Sequence, residues 1–184
     1  ELAVINMAIG AGYAGVRSMC ATSGGGFALM TEAIGMAGMI EAPVVIVTVQ
    51  RGGPSTGIPT KTEQADLNQV YGASQGDFPR IIIAPTDTAD CFHSTVEAFN
   101  LAERYQLPVI LISDLFVSEH PETIEADALT SHVPIDRGQL VTDWPESNGR
   151  FKRYAFTPSG ISPRALPGTS NTLHIAGTDE HDEE

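Results

Sequence analysis

Up to Asp114 the chain alternates between short, wholly apolar runs and longer segments whose apolar residues return every three or four positions. The run Pro43–Val49 carries no charge and predicts a strand buried on both faces, as in a parallel sheet. Arg17–Thr22, Arg80–Ala84 and Pro108–Ser113 predict three more strands, the last ending at Asp114. Between them fall helical patterns. Leu2–Gly15 places Leu2, Ile5, Ile9 and Val16 near one stripe. Its glycines Gly10, Gly12 and Gly15 each cost about 1 kcal/mol of helix propensity against alanine, which predicts close packing on another backbone. Phe27–Ile40 is apolar all round and rich in small residues, the signature of a buried helix or a subunit interface. Glu63–Tyr71 predicts a short helix with Thr60 or Thr62 as its N-cap. Asp87–Tyr105 predicts a long amphipathic helix burying Ala89, Phe92, Val96, Phe99 and Ala102.

Strand and helix in alternation predict an α/β domain with a doubly wound parallel sheet over residues 1–118. From His120 the texture changes. Prolines fall at 121, 134, 145, 158, 163 and 167, and no long periodic pattern survives. Residues 119–184 therefore read as an extended linker that wraps over neighbouring surfaces.

Charge and composition narrow the function classes. With 184 residues, 42% hydrophobic and 18% charged, the chain has a soluble protein's balance and no apolar run long enough for a membrane span. A net charge of −13 argues against a nucleic-acid partner, which would need lysine and arginine in excess. Five acidic residues crowd Asp179–Glu184, as in a solvated tail. Cys20 and Cys91, far apart and outside any C-x-x-C, suit a reducing cytoplasm and provide neither an iron–sulfur nor a structural zinc set. The chain opens without an initiator Met or signal peptide and stops inside the acidic cluster, so it reads as a piece of a longer polypeptide.

The strongest candidate for chemistry follows the Pro43–Val49 strand: Gln50-Arg51-Gly52-Gly53-Pro54-Ser55-Thr56-Gly57-Ile58-Pro59-Thr60. Ligands of open α/β sheets bind beyond the carboxyl ends of the strands. Arg51 there offers a fork of donors suited to a carboxylate or phosphate, and the loop adds close-approaching glycine backbone and hydroxyls. A second candidate is Ala21-Thr22-Ser23-Gly24-Gly25-Gly26, a strand–turn–helix junction whose amides could face an anion or simply make a tight turn. It lacks a P-loop lysine and does not fit G-x-G-x-x-G. The five histidines show no metal-ligand spacing, and no nucleophile elbow is present. Asp114, at a strand end, suits helix capping or loop bonding.

Taken in order, these residues resemble the alpha subunit of the 2-oxoacid:ferredoxin oxidoreductases, most closely the 2-oxoglutarate type. The matching segments are Glu1–Gly15, Ala21–Met30, Val44–Thr60 with Lys61-Thr62-Glu63-Gln64, Glu97–Glu103, Phe151–Tyr154, Ser162–Ala165 and Asp179–Glu183. The resemblance implies the pyrimidine-binding half of a thiamine diphosphate site. It implies oxidative decarboxylation of a 2-oxoacid with coenzyme A, the electrons passing to ferredoxin. A partner beta subunit would hold the diphosphate with its Mg²⁺ and the [4Fe–4S] cluster in a hetero-oligomer, leaving no metal site on this chain. Glu1 matches the carboxylate that hydrogen-bonds pyrimidine nitrogen N1′ and so promotes loss of the thiazolium proton. Arg51 matches the residue that binds the 2-oxoacid carboxylate; Thr56 and Thr60 would add polar substrate contacts, and Ser23 and Gly24 would line the pyrimidine pocket. A substrate-contacting loop would precede the chain and a transketolase C-terminal-like domain would follow it, so the piece alone would be inactive.

Three alternatives remain at this level. One is a pyruvate-type or other 2-oxoacid enzyme of the same family. Another is a non-catalytic interaction module using the apolar second helix and the acidic cluster. The third is a phosphate-ligand module built on the Ser23–Gly26 turn.

Overall fold

The computed structural model describes residues 1–184 except Ser131, Thr178, Asp179 and Glu184. Helix α1 (Leu2–Tyr13) leads into strand β1 (Met19–Thr22), helix α2 (Gly25–Met39) and strand β2 (Val44–Gln50). Helix α3 (Leu67–Tyr71), strand β3 (Ile81–Ile83), helix α4 (Thr88–Tyr105), strand β4 (Pro108–Asp114) and helix α5 (Leu115–Glu119) follow. The four strands form one parallel sheet in the order β1-β2-β4-β3.

The central pair explains why these runs read as uninterrupted apolar sequence. β2 and β4 pair in register, Val45 opposite Val109 and Ile46 opposite Ile110. Successive side chains alternate faces, and both faces are covered. Val44, Ile46, Ile110 and Ile112 pack with Ile5, Ile9, Phe27, Met30, Ile34 and Val70 from α1, α2 and α3. Val45, Val109 and Leu111 pack on the opposite side with Ala98 and Ala102 of α4. Full burial of each such aliphatic side chain is worth about 1.5–3 kcal/mol, so the sheet interior is the main source of stability. The doubly wound parallel α/β fold follows directly.

Close backbone approach explains one of the α1 glycines. A Cβ on Gly12 would collide with the carbonyl oxygen of Pro43, while Gly10 has open space around it. The predicted α1 stripe is half right: Ile5 and Ile9 are buried, but Leu2 and Val16 face solvent. The predicted caps of α3 need correcting too. Helix α3 starts at Leu67 after Asp66, beyond the reach of Thr60 and Thr62, because the intervening residues are used to close a loop described below.

Helix α4 departs from its predicted face in an informative way. Asp87 caps it, its carboxylate accepting from the Asp90 amide at 2.8 Å. Ala102 is buried as expected, but Ala89, Phe92, Val96 and Phe99 are half-buried, while Ser94, Ala98, Asn100 and Glu103 lie deeper. The polar flank is buried because the segment after residue 130 lies against it. Asn100 donates to the Pro134 carbonyl and accepts from the Asp136 amide. Glu103, with a side chain only 4% exposed, pairs with Arg17 at 2.7 Å, Arg137 at 2.6 Å and Arg164 at 3.2 Å.

Among the described residues, the segment past His120 holds only short elements: two 3₁₀ turns (Ala126–Leu129 and Glu146–Asn148) and a two-residue parallel pair, β5 (Leu140–Val141) with β6 (Arg164–Ala165). Its buried anchors are Phe151, Arg153, Tyr154, Arg164, Ala165 and Thr172. Arg153 reaches back to Glu41 at 2.8 Å. The acidic cluster is not simply solvated. Asp179 and Glu184 lie outside the described residues, but Glu183 pairs with Lys152 at 3.0 Å and accepts from the Phe156 amide. The Lys152 bond holds the Glu183 carboxyl below its usual range.

Candidate functional site

Three features from separate parts of the chain meet near the carboxyl ends of β1 and β2. β1 ends at Thr22 and α2 begins at Gly25, so Ser23 and Gly24 make the whole connection. Gly24 has φ +48° and ψ −116°, a conformation that a side-chain-bearing residue rarely adopts. The turn closes by bonds from the Gly26 amide to the Ser23 carbonyl and from the Phe27 amide to the Gly24 carbonyl.

Two charged side chains approach this turn from different elements. Glu1 sits at the N-cap of α1, yet its carboxylate makes no capping bond. Instead Glu1 Oε1 lies 2.6 Å from the position that a Cβ would take on Gly26, with Thr22 Oγ1 also against that position. Arg51 follows the last residue of β2, and its Nε lies 3.9 Å from the equivalent position on Gly24. That Nε is buried and has no hydrogen-bond partner among the described residues. A buried guanidinium donor left unpaired is costly unless a ligand acceptor completes it. The site thus presents a carboxylate set against Gly26, open space at Gly25, and an orphaned arginine donor near Gly24.

The loop after Arg51 is folded on itself. Gly52 bridges Ile58 in antiparallel fashion, the Gly52 amide donates to the Lys61 carbonyl, and the Gly53 amide donates to Glu63 at 3.3 Å. Thr56 and Thr60 are exposed on this loop, with no bond to Glu1 or Arg51 among the described residues. The structure therefore gathers Glu1, Ser23, Gly24 and Arg51 at one junction and leaves the two threonines exposed on the loop.

A separate cavity of about 430 Å³ opens at the carboxyl ends of β2 and β4, and none of Glu1, Ser23, Gly24 and Arg51 lines it. Its wall includes Gln50, Gln64, Thr86, Ser113 and Asp114. Asp114 caps α5 by accepting from the Val117 amide and accepts from Gln64 Nε2 at 2.6 Å. Gln50 Oε1 accepts from the Asp66 amide at 3.0 Å. Burial, together with the neighbouring Glu63 carboxylate, raises the Asp66 pKa. Sequence reasoning placed Thr22 and Gly26 in the possible anion-facing turn and Gln50 and Gln64 in notable segments, but gave none of the four an individual side-chain role. Gln50 carried the one available signal, a polar residue closing an otherwise apolar strand immediately before the arginine. Among the described residues no group of three or more histidine, cysteine or acidic side chains could hold a metal ion, and no helix is long and apolar enough to cross a membrane.

The residues present fit the pyrimidine end of thiamine diphosphate. Gly25 has open space where a side chain would stand, and beside the turn the Glu1 carboxylate has no hydrogen bond among the described residues. Comparison with known proteins agrees. The family profile described as pyruvate flavodoxin/ferredoxin oxidoreductase, thiamine diP-bdg, matches residues 1–182. The chain is 48% identical over 185 residues to 2-oxoacid:ferredoxin oxidoreductase 1, subunit alpha, of Sulfurisphaera tokodaii, covering 100% of this chain and 29% of that one. It is 48% identical over 183 residues to the 2-oxoglutarate synthase subunit KorA of Methanothermobacter thermautotrophicus, covering 100% of this chain and 47% of that one. The solved 2-oxoglutarate:ferredoxin oxidoreductase from Magnetococcus marinus, with 2-oxoglutarate, coenzyme A and succinyl-CoA bound, superposes with a TM-score of 0.84 at 46% identity. That match covers 99% of this chain and 31% of the solved chain. The chain spans less than half the length of each of these relatives, and across that span it belongs to the thiamine diphosphate-binding family of the pyruvate flavodoxin/ferredoxin oxidoreductases.

Proposed function

We propose that this chain is the pyrimidine-binding part of an alpha subunit that, with a beta subunit, oxidatively decarboxylates 2-oxoglutarate to succinyl-CoA and delivers electrons to ferredoxin. One observation carries the reading: Glu1 and the orphaned Arg51 donor flank a single glycine turn. Bound thiamine diphosphate supplies the electron sink for decarboxylation. Glu1 accepts a hydrogen bond from the protonated N1′ of the pyrimidine. Ser23 and Gly24 line the ring. Arg51 pairs with the substrate's carboxylate, and Thr56 and Thr60 contribute polar contacts as the substrate enters. The beta subunit holds the diphosphate, Mg²⁺ and the [4Fe–4S] cluster. Residues 119–184 link this domain to a following transketolase-like domain, and the assembly works in the cytoplasm. The KorA relative and the Magnetococcus structure support 2-oxoglutarate over pyruvate.

The test is a reductive half-reaction on the complete alpha–beta complex with methyl viologen as acceptor. 2-Oxoglutarate and pyruvate are supplied separately, each with and without coenzyme A and thiamine diphosphate. Cofactor-dependent dye reduction selective for 2-oxoglutarate is expected. Selectivity for pyruvate would move the protein to the pyruvate type. No reduction by any 2-oxoacid, from a complex shown to hold cofactor and cluster, would overturn the enzymatic reading. Arg51→Ala should raise the KM for 2-oxoacid about 10- to 100-fold while leaving that for coenzyme A nearly unchanged.

A further inference from the structure

We propose that Gln64 and Asp114 form a positioning latch that closes the neck of the Arg51 loop and sets the aim of Arg51. The proposal rests on the assignment of Arg51 to the substrate carboxylate. The loop leaves the sheet after Gln50 and returns at Gln64–Asp66. At that return it is fastened twice, to the ends of two neighbouring strands. Gln64 Nε2 donates to Asp114 Oδ2 at 2.6 Å on β4, and the Asp66 amide donates to Gln50 Oε1 at 3.0 Å on β2. Gln50 and Asp114 stand opposite each other in the register and are both buried. The two fastenings therefore share one rigid base, and Arg51 projects from the residue next to it.

Geometry gives the latch its strength. Asp114 is already immobilised by its bond from the Val117 amide, so its second oxygen meets Gln64 with little further loss of freedom. An amide-to-carboxylate bond of this length belongs to the stronger, charge-assisted class. Gln64 touches neither Arg51 nor Glu1 among the described residues, so its effect on substrate would be exerted through the loop.

The test uses the full alpha–beta complex and a polarity swap. Gln64→Glu sets two carboxylates against each other and should open the neck. We expect the KM for 2-oxoacid to rise about tenfold, with kcat and the KM for coenzyme A changed less than about twofold. Adding Asp114→Asn restores a donor–acceptor pair with reversed polarity and should return the KM to within about twofold of the unmodified enzyme. Hydrogen exchange reports independently of turnover: the Asp66 amide and the 51–61 peptides should exchange faster in Gln64→Glu and recover in the double variant. Unchanged exchange and KM in Gln64→Glu, or no recovery in the double variant, would overturn the latch. Arg51→Ala is measured alongside. If its KM is normal while Gln64→Glu still loosens the loop, the carboxylate role of Arg51 fails and the latch stands as the loop's anchor alone.

Discussion

Glu1 occupies a helix N-cap, yet its carboxylate leaves the helix amides alone and turns to Gly26, where the proposed function needs it. Glu1→Gln in the assembled enzyme should therefore lower kcat about 10²- to 10⁴-fold without unfolding it, and normal turnover at limiting cofactor would rule the role out. Gly26→Ala tests the same contact from the other side. The added Cβ would meet Glu1 Oε1 and Thr22 Oγ1, so thiamine diphosphate affinity should fall, measured by cofactor titration. Cys20 gives a prediction unrelated to catalysis. Burial pushes its thiol from the ordinary 9.0 up to about 11. An unfolded chain releases this proton near 9.0 and the folded chain only near 11, so across that interval the unfolded state binds fewer protons and stability falls as pH rises. In Cys20→Ala, the loss of Tm between about pH 8 and about pH 10.5 should be smaller; an unchanged slope would assign the loss to other groups. At this scale Arg51 was readable because a charged residue right after an apolar run stands out. The Gln64–Asp114 contact was not, since 50 residues separate its partners and neither breaks a pattern.

Strands were the most legible elements, because burial on both faces leaves an unbroken apolar signal that needs no partner to be recognised. Helix α4 was legible in extent and blurred in face. Its buried positions are set partly by a segment without periodicity, which brings Pro134, Asp136, Arg137 and Arg164 onto its polar side. Glu103 is the residue through which that contact is fixed. Burial lowers the Arg164 pKa while Glu103 works against that shift, so the carboxylate and the guanidinium depend on each other. Removing one partner of a buried ion pair costs about 3–5 kcal/mol, and Glu103→Ala should destabilise by that order in urea unfolding. The same variant should speed trypsin cleavage at Arg137. A stability change below about 1 kcal/mol would mean that the pairs add little beyond their own desolvation.

For the molecule as a whole, α1 exposes an apolar face. It buries Ile5, Ala8, Ile9 and Gly12 but leaves Leu2, Val4 and Met7 in solvent, and α2 leaves Leu29 there. Apolar exposure on the helices that carry the candidate site suits a subunit interface. Met7→Asp with Leu29→Asp should abolish co-purification of the beta subunit while leaving the melting of the alpha subunit unchanged. Retained assembly would place the interface elsewhere.

The triple engagement of Glu103 also bears on what can be cut away from this protein. A polypeptide ended after Glu119 would keep the four-stranded sheet, α5 and every candidate site residue. It would nevertheless lose Arg137 and Arg164, leaving one arginine opposite a carboxylate built to serve three. Gly15, over which Leu166 now lies, would be bared as well. The chain past residue 119 thus acts as a counter-charge for the helix that backs the sheet.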